Sequence, residues 1–307
     1  MGIVATAVVP IVLLLGSGAL LRRQLLPAAE FWQGVEWLCY FVFLPALFIY
    51  SIGRADLSII SVGPLLLSLV IPVLVAAGLV LGIMMLVRAD GPRTSSMIQG
   101  SIRLNTYIGL AFAQALGGEA GLATFAVASA VMVPTVNVIS VSALSAMGTA
   151  KVEPKRGGVV REIVENPLIL GCVVGIVVNL SGVEMPEFLM ETLRLLSTPA
   201  LVMGTLATGA AISFRVRRRD AFDLAVVSLI KLVLLPLGTG AIAVWLGVSG
   251  LVLTIFVLIT AIPCATSCYI LAQRMGGDTR LMASITAVQT VVSMATLPVV
   301  LEIVQSL

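Results

Sequence analysis

The 307-residue chain has no histidine. That excludes the His-Glu-x-x-His zinc proteases, serine–histidine hydrolysis and any histidine proton relay. Charged residues are scarce at 11%, whereas a soluble domain carries roughly 25%. With so few, the chain cannot cover its surface with polar groups in water. Only four cysteines occur, Cys39, Cys172, Cys264 and Cys268, all within apolar stretches. Without histidine partners they form no metal pattern and read as small buried thiols. No disulfide, metal or other cofactor is expected. The paired core aspartates of an intramembrane aspartyl protease are also missing, so an enzyme of the bilayer is excluded by its own required residues. Hydrophobic residues, at 59%, dominate. The chain reads as an integral membrane protein whose first partner is the lipid bilayer.

A spanning helix needs about 20 apolar residues. Stretches of that kind lie near residues 2–21, 31–53, 60–87, 95–116, 120–147, 166–183, 187–213, 221–246, 250–272 and 280–305. Arg22 and Arg23 follow the first stretch, so it reads as a retained helix and not a cleaved signal. Sorting alternate loops puts fourteen basic residues on one side, including Arg22, Arg23, Arg88, Arg93, Lys151, Lys155, Arg217, Arg218, Arg219, Arg274 and Arg280, and only Arg54 and Arg194 on the other. The richer side is expected to be cytoplasmic, with both termini outside. The run Arg217–Arg219 is a topology signal that could also touch anionic headgroups; nothing suggests nucleic acid. Residues 148–165 read as a cytoplasmic linker, in which Val159 to Val164 could form a short interfacial helix.

A pattern occurs twice. Ala113-Gln114-Ala115-Leu116-Gly117-Gly118-Glu119 returns 159 residues later as Ala272-Gln273-Arg274-Met275-Gly276-Gly277-Asp278. Leu44-Pro45-Ala46-Leu47 answers Thr198-Pro199-Ala200-Leu201, Pro10 answers Pro167, and Pro72 answers Pro236. A repeat after five spans must sit upside down relative to its first copy, as in secondary transporters. The expected fold is all-α, with ten transmembrane helices as two inverted five-helix repeats, 1–147 and 166–307. The paired prolines suggest paired helix breaks.

The ninth stretch, Thr260-Ala261-Ile262-Pro263-Cys264-Ala265-Thr266-Ser267-Cys268-Tyr269, is small and polar for a span. Pro263 removes a backbone donor, and the N–H groups of a new helix start can face an anion. The matching part of the fourth stretch is Arg103-Leu104-Asn105-Thr106-Tyr107-Ile108-Gly109. Arg103 stands roughly 15 Å beyond Arg93 along a helix, near the midplane, and Lys231 lies at a similar depth. Each of these cations faces a cavity or a partner, yet no Asp or Glu occurs at that depth, Glu36 being nearest. An anionic substrate would supply the missing charge. The candidate substrate-binding residues are therefore Arg103, Asn105, Thr106, Pro263, Cys264, Thr266, Ser267, Gln289 and Lys231. For each a structural role competes: carbonyl binding for the cations, interhelical bonds for the amides, bonds to their own helix for the hydroxyls. Asn137 and Asn179 are weaker candidates of the same kind.

Together these segments resemble the auxin efflux carrier family in its bacterial branch. The resemblance rests on Phe43-Leu44-Pro45-Ala46-Leu47-Phe48, Arg103 to Leu110, Gly118-Glu119-Ala120-Gly121-Leu122, Lys231-Leu232-Val233-Leu234-Leu235-Pro236, Ala261-Ile262-Pro263 and Gly276-Gly277-Asp278. It implies a fold like that of sodium/proton antiporters, with broken helices four and nine crossing at the site. It implies auxin, malate or malonate as the kind of cargo, and a homodimer. The family's crossover asparagine falls on or beside Asn105 and its ninth-helix proline on Pro263. Many members carry Gly-Leu-Pro where this chain has Gly109-Leu110-Ala111, so its helix-four break is expected to be softer or made by Gly109.

The reading is a secondary transporter of small organic anions in a bacterial inner membrane, moving mono- or dicarboxylates outward by alternating access. Its rivals are a sodium-coupled organic-anion symporter of the same fold and a membrane sensor that binds without flux.

Overall fold

A computed structural model describes residues 3–149, 165–182, 185–213 and 216–305. Long apolar runs with few internal breakers form helices, because in a bilayer each backbone polar group must be satisfied within its own segment. The helices are α1 (Ile3–Gln24), α2 (Ala29–Leu38), α3 (Leu44–Gly53), α4 (Val62–Leu86), α5 (Gly91–Ile102), α6 (Thr106–Met147), α7 (Pro167–Ser181), α8 (Glu187–Ala211), α9 (Ala221–Leu229), α10 (Leu235–Trp245), α11 (Gly250–Ala261), α12 (Ser267–Met275) and α13 (Thr279–Gln305). No strand occurs among the described residues. Five helical stretches are long and apolar enough to cross a membrane: 29–53, 62–86, 91–147, 221–245 and 279–304. Leu86, Phe188, Leu180 and Trp245 are each more than 70% exposed, an outward apolar surface that suits lipid and not water. The linker and the interfacial helix at 159–164 lie outside the described residues, apart from the linker's two ends.

The expected paired breaks at proline are not found at most of these positions. α1, α4 and α8 run straight through Pro10, Pro72 and Pro199. A carbonyl freed by proline is readily re-satisfied inside a membrane helix, so the ring alone does not end it. Pro167 simply opens α7, whose N-cap Asn166 accepts from the Leu168 and Ile169 amides. Pro45 and Pro236 have a different effect. Each follows a turn of π-helix, Cys39–Phe43 and Ile230–Leu234. There the Leu44 and Leu235 amides reach back five residues, to Cys39 and Ile230. Proline has no N–H for the carbonyl four residues earlier, and the widened turn absorbs that gap.

The doubled Gly-Gly pattern makes tight reversals at both copies. Gly118 (φ 55°, ψ −138°) folds α6 sharply between two helical arms, and Gly276 (φ 77°) ends α12 in the left-handed region. Only glycine adopts these angles without strain. The reversal uses the second glycine of the first copy and the first glycine of the second.

The chain folds into two compact units, each drawing on both halves of the sequence. The first comprises described residues within 1–61, 106–130 and 160–211. In it α1 packs on α8, and α3 on α7 and α8. Trp32, Val35, Cys39, Ala207 and Ala210 form a buried cluster flanked by Tyr107 and Met203. The Asn179 amide caps the end of α3 by donating to the carbonyls of Ile52 (2.9 Å) and Ala55 (2.7 Å), so this in-span polar residue closes a helix. The second unit comprises described residues within 62–105, 131–159 and 212–307. Here α10 packs between α4 and α11, while α13 packs on α5, α9, α11 and α12.

Candidate functional site

The second unit holds two interruptions in contact. α5 ends at Ile102 and its C-cap, Arg103, is extended (φ −68°, ψ 158°). Helix resumes at Thr106. α11 ends at Ala261 and its C-cap, Ile262, is likewise extended (φ −68°, ψ 150°), with helix resuming at Ser267. The Asn105 amide donates to the Pro263 carbonyl at 2.8 Å. The break in the first stretch therefore lies at Arg103–Asn105. It is neither soft nor at Gly109: Gly109, Leu110 and Ala111 are all helical. The orphan groups that a break creates are here satisfied by a second break, so no local proline is required.

Gln289 on α13 joins the two. Its Oε1 accepts from the Cys264 amide (3.0 Å) and its Nε2 donates to the Gly100 carbonyl (3.0 Å). Gly100 lies in the last turn of α5, where carbonyls lack an onward helical partner. Both ends of the buried Gln289 amide are thus engaged with the backbone, and the residue positions the interruptions. Gln99, which the sequence reading did not single out, has a related part. Fully buried on α5, it donates to the Cys268 carbonyl (3.2 Å) on α12. A glutamine one turn before Arg103, in a run of serines, was the available signal.

The other candidates fall as follows. Asn105 and Pro263 are buried, Arg103 and Thr266 half-buried, and Ser267 exposed. Thr266 precedes α12 without a side-chain cap bond. Cys264 is buried with its Sγ 3.2 Å from Thr286 Oγ1. Thr106, the first residue of α6, belongs to the first unit. Lys231 sits in the second π turn, fully buried, and its Nζ has no hydrogen-bond partner. The titratable groups facing it are Cys264 and Cys268. Among the described residues neither Arg103 nor Lys231 has an ion pair. Arg103 does cap the carbonyl end of α5, where a cation is favoured by the helix dipole.

At the ends of α5, α9 and α13, carboxylates and guanidiniums pair closely. Arg93 holds Asp223 through two bonds of 2.6 Å. Arg280 grips Asp220 through both nitrogens, one at 3.0 Å. The Arg280 guanidinium holds the Asp220 carboxyl below the usual carboxylate range. The charged residues of this unit are therefore neutralised at the helix ends and left single in the interior. In the first unit a cavity of about 610 Å³ is lined by Tyr50, Arg54, Gln114, Glu119, Arg194 and Ser197. It gathers the two basic residues that the loop count sets apart from the rest.

Apolar outward helices, two mutually bonded interruptions and buried single cations define a multi-pass membrane protein of the transporter class. The membrane transport protein family model matches residues 3–301, nearly the whole chain, and the protein belongs to this family, that of the auxin efflux carriers. No curated protein matches the chain.

Proposed function

We propose that the protein is a secondary carrier of small organic anions that works by alternating access. One observation carries the proposal: the Asn105–Pro263 backbone bond joins two helix interruptions in a unit whose interior cations, Arg103 and Lys231, have no carboxylate partner among the described residues. A carboxylate is the ligand that such a place lacks. Arg103 and the Asn105 side chain would hold one carboxylate, with Thr106, Thr266, Ser267 and the start of α12 donating to it. Lys231 would supply the second charge for a dicarboxylate or balance a monocarboxylate such as an auxin-like acid. Pro263, Cys264 and Gln289 would keep the interruption open.

The frame proposed for this site is ten crossings in two inverted repeats, 1–147 and 166–307, related to the sodium/proton antiporters, in a homodimer. The fourteen-to-two split of basic residues supports a cytoplasmic linker and outside termini in a bacterial inner membrane. With the inside negative, an anion is driven outward by about 2.3 kcal/mol per charge per 100 mV, which supports efflux as the direction. Calorimetric titration of the purified protein with malate, malonate and an aromatic monocarboxylate tests the site. One acid should bind to the native chain and at least tenfold more weakly to Arg103→Gln, a change of about 1.4 kcal/mol. Equal binding to both would remove Arg103 from the site.

A further inference from the structure

Cys264 and Cys268 flank the second interruption. Cys264 lies in its non-helical stretch and Cys268 is the second residue of α12. Both are free thiols and both are fully buried. In an unbroken helix, residues four apart keep their Cβ atoms about 5–6 Å from one another, too far for a disulfide, which needs about 3.5–4.5 Å. Here the interruption replaces the regular turn, and the two thiols hydrogen-bond to each other. The Cys264 Sγ also meets Thr286 Oγ1 at 3.2 Å, which fixes it against α13. The charged groups facing Cys268 are Arg103 and Lys231. Reactive cysteines stand beside such cations. Neither thiol has a part in the proposed transport chemistry that serine would not fill.

We propose that Cys264 and Cys268 form a reversible thiol-modification site, closed to a disulfide by a peroxide-class oxidant and reopened by a thiol reductant. In the first step the Cys268 sulfur attacks one peroxide oxygen. The O–O bond breaks, one water leaves and Cys268 becomes a sulfenic acid. In the second the Cys264 sulfur attacks the Cys268 sulfur. The S–O bond breaks, the thiol proton leaves with the hydroxyl as a second water, and the S–S bond forms. Two thiols are oxidised by two electrons and one peroxide is reduced to two waters. The product pins residues 264–268 in one backbone geometry. A carrier that must rearrange its broken helix is then held still. This effect on flux rests on the carrier reading above, whereas the bond itself does not.

The test uses the full chain in liposomes, treated with hydrogen peroxide and then with a reductant. Intact mass, thiol counting after denaturation and peptide mapping follow the chemistry; amide hydrogen exchange over residues 262–269 follows the backbone. The expected result is loss of two hydrogens and of two of the four thiols, mapped to Cys264–Cys268 and reversed by reductant. Exchange at the break should slow about tenfold, which is about 1.4 kcal/mol. Cys268→Ser and Cys268→Ala should abolish both changes, and Cys39→Ser with Cys172→Ser should leave them intact. Four thiols surviving oxidation, a bridge to Cys39 or Cys172, or a mapped bridge with unchanged exchange would each overturn the proposal. Flux of a labelled organic acid should fall in step with disulfide formation, and a bridge that leaves such flux unaltered ends the lock. Absence of flux in the reduced protein, beside a normal bridge and slowed exchange, counts against the carrier reading alone.

Discussion

The Asn105 amide and the Pro263 carbonyl meet at 2.8 Å, so that each helix interruption satisfies a group orphaned by the other. A buried amide or carbonyl left alone in lipid costs several kcal/mol, so neither break is stable without its neighbour. Restoring a donor at Pro263 should let α11 run on into α12. Pro263→Ala is expected to cut transport by at least about tenfold, roughly 1.4 kcal/mol in the barrier, while the protein still inserts and purifies. Unchanged flux would show that the interruption is held by other groups.

Gln289 is the side-chain counterpart of that bond. Gln289→Leu removes both partners at once and strands the Cys264 amide and the Gly100 carbonyl. Each stranded group costs about 1–3 kcal/mol, so thermal unfolding in detergent should move several degrees lower. Gln289→Glu keeps the acceptor but loses the donor to Gly100, and should fall between. A Gln289→Leu protein as stable as the native one would contradict the positioning role.

Lys231 should show the opposite sign. Its ammonium is buried without a hydrogen-bond partner. Replacing a buried charge by an apolar group of similar length is commonly neutral or stabilising by about 1–4 kcal/mol. Lys231→Met is therefore expected to raise the unfolding temperature while binding of the organic anion falls. Lower stability and unaltered binding together would return Lys231 to a structural role.

The Asp220–Arg280 pair makes stability depend on acid. Its guanidinium holds the Asp220 carboxyl below the usual range. The pair's contribution is complete above the unfolded value of about 3.9 and is lost as the pH falls through the lower folded value. Asp220 is buried and Arg280 is partly open to solvent, so the contribution is set at about 2 kcal/mol. Asp220→Asn should unfold earlier than the native chain at pH 7, and the difference should shrink as the pH falls below 4. A gap that widens in acid would reverse the assignment.

How much of this was legible depends on where each instruction resides. The helical stretches were plain, because apolar length is a property of the segment itself. So was the reversal at Gly118, where only glycine tolerates the angle. Pro263 announced its interruption through the missing N–H. The break at Arg103–Asn105 was not legible as a position, since Leu104 and Asn105 have no local bar to helix; it exists because Pro263 offers a carbonyl from more than 150 residues away. The π turns before Pro45 and Pro236 were missed for a related reason. Proline says that a bond is lost, but packing decides whether the helix breaks, widens or continues, as it does through Pro72. Gln289 was visible as a polar residue in a span, while its two backbone partners were not.

The most direct measurement is flux of labelled malate, malonate and an aromatic monocarboxylate in proteoliposomes, with an imposed voltage and no sodium, beside Arg103→Gln. The account predicts voltage-driven flux of at least one acid that is lost in Arg103→Gln. Flux that survives the substitution would contradict the placement of Arg103 at the site. Flux that requires sodium would contradict an uncoupled anion carrier, and the absence of flux under any gradient would contradict transport of these acids altogether.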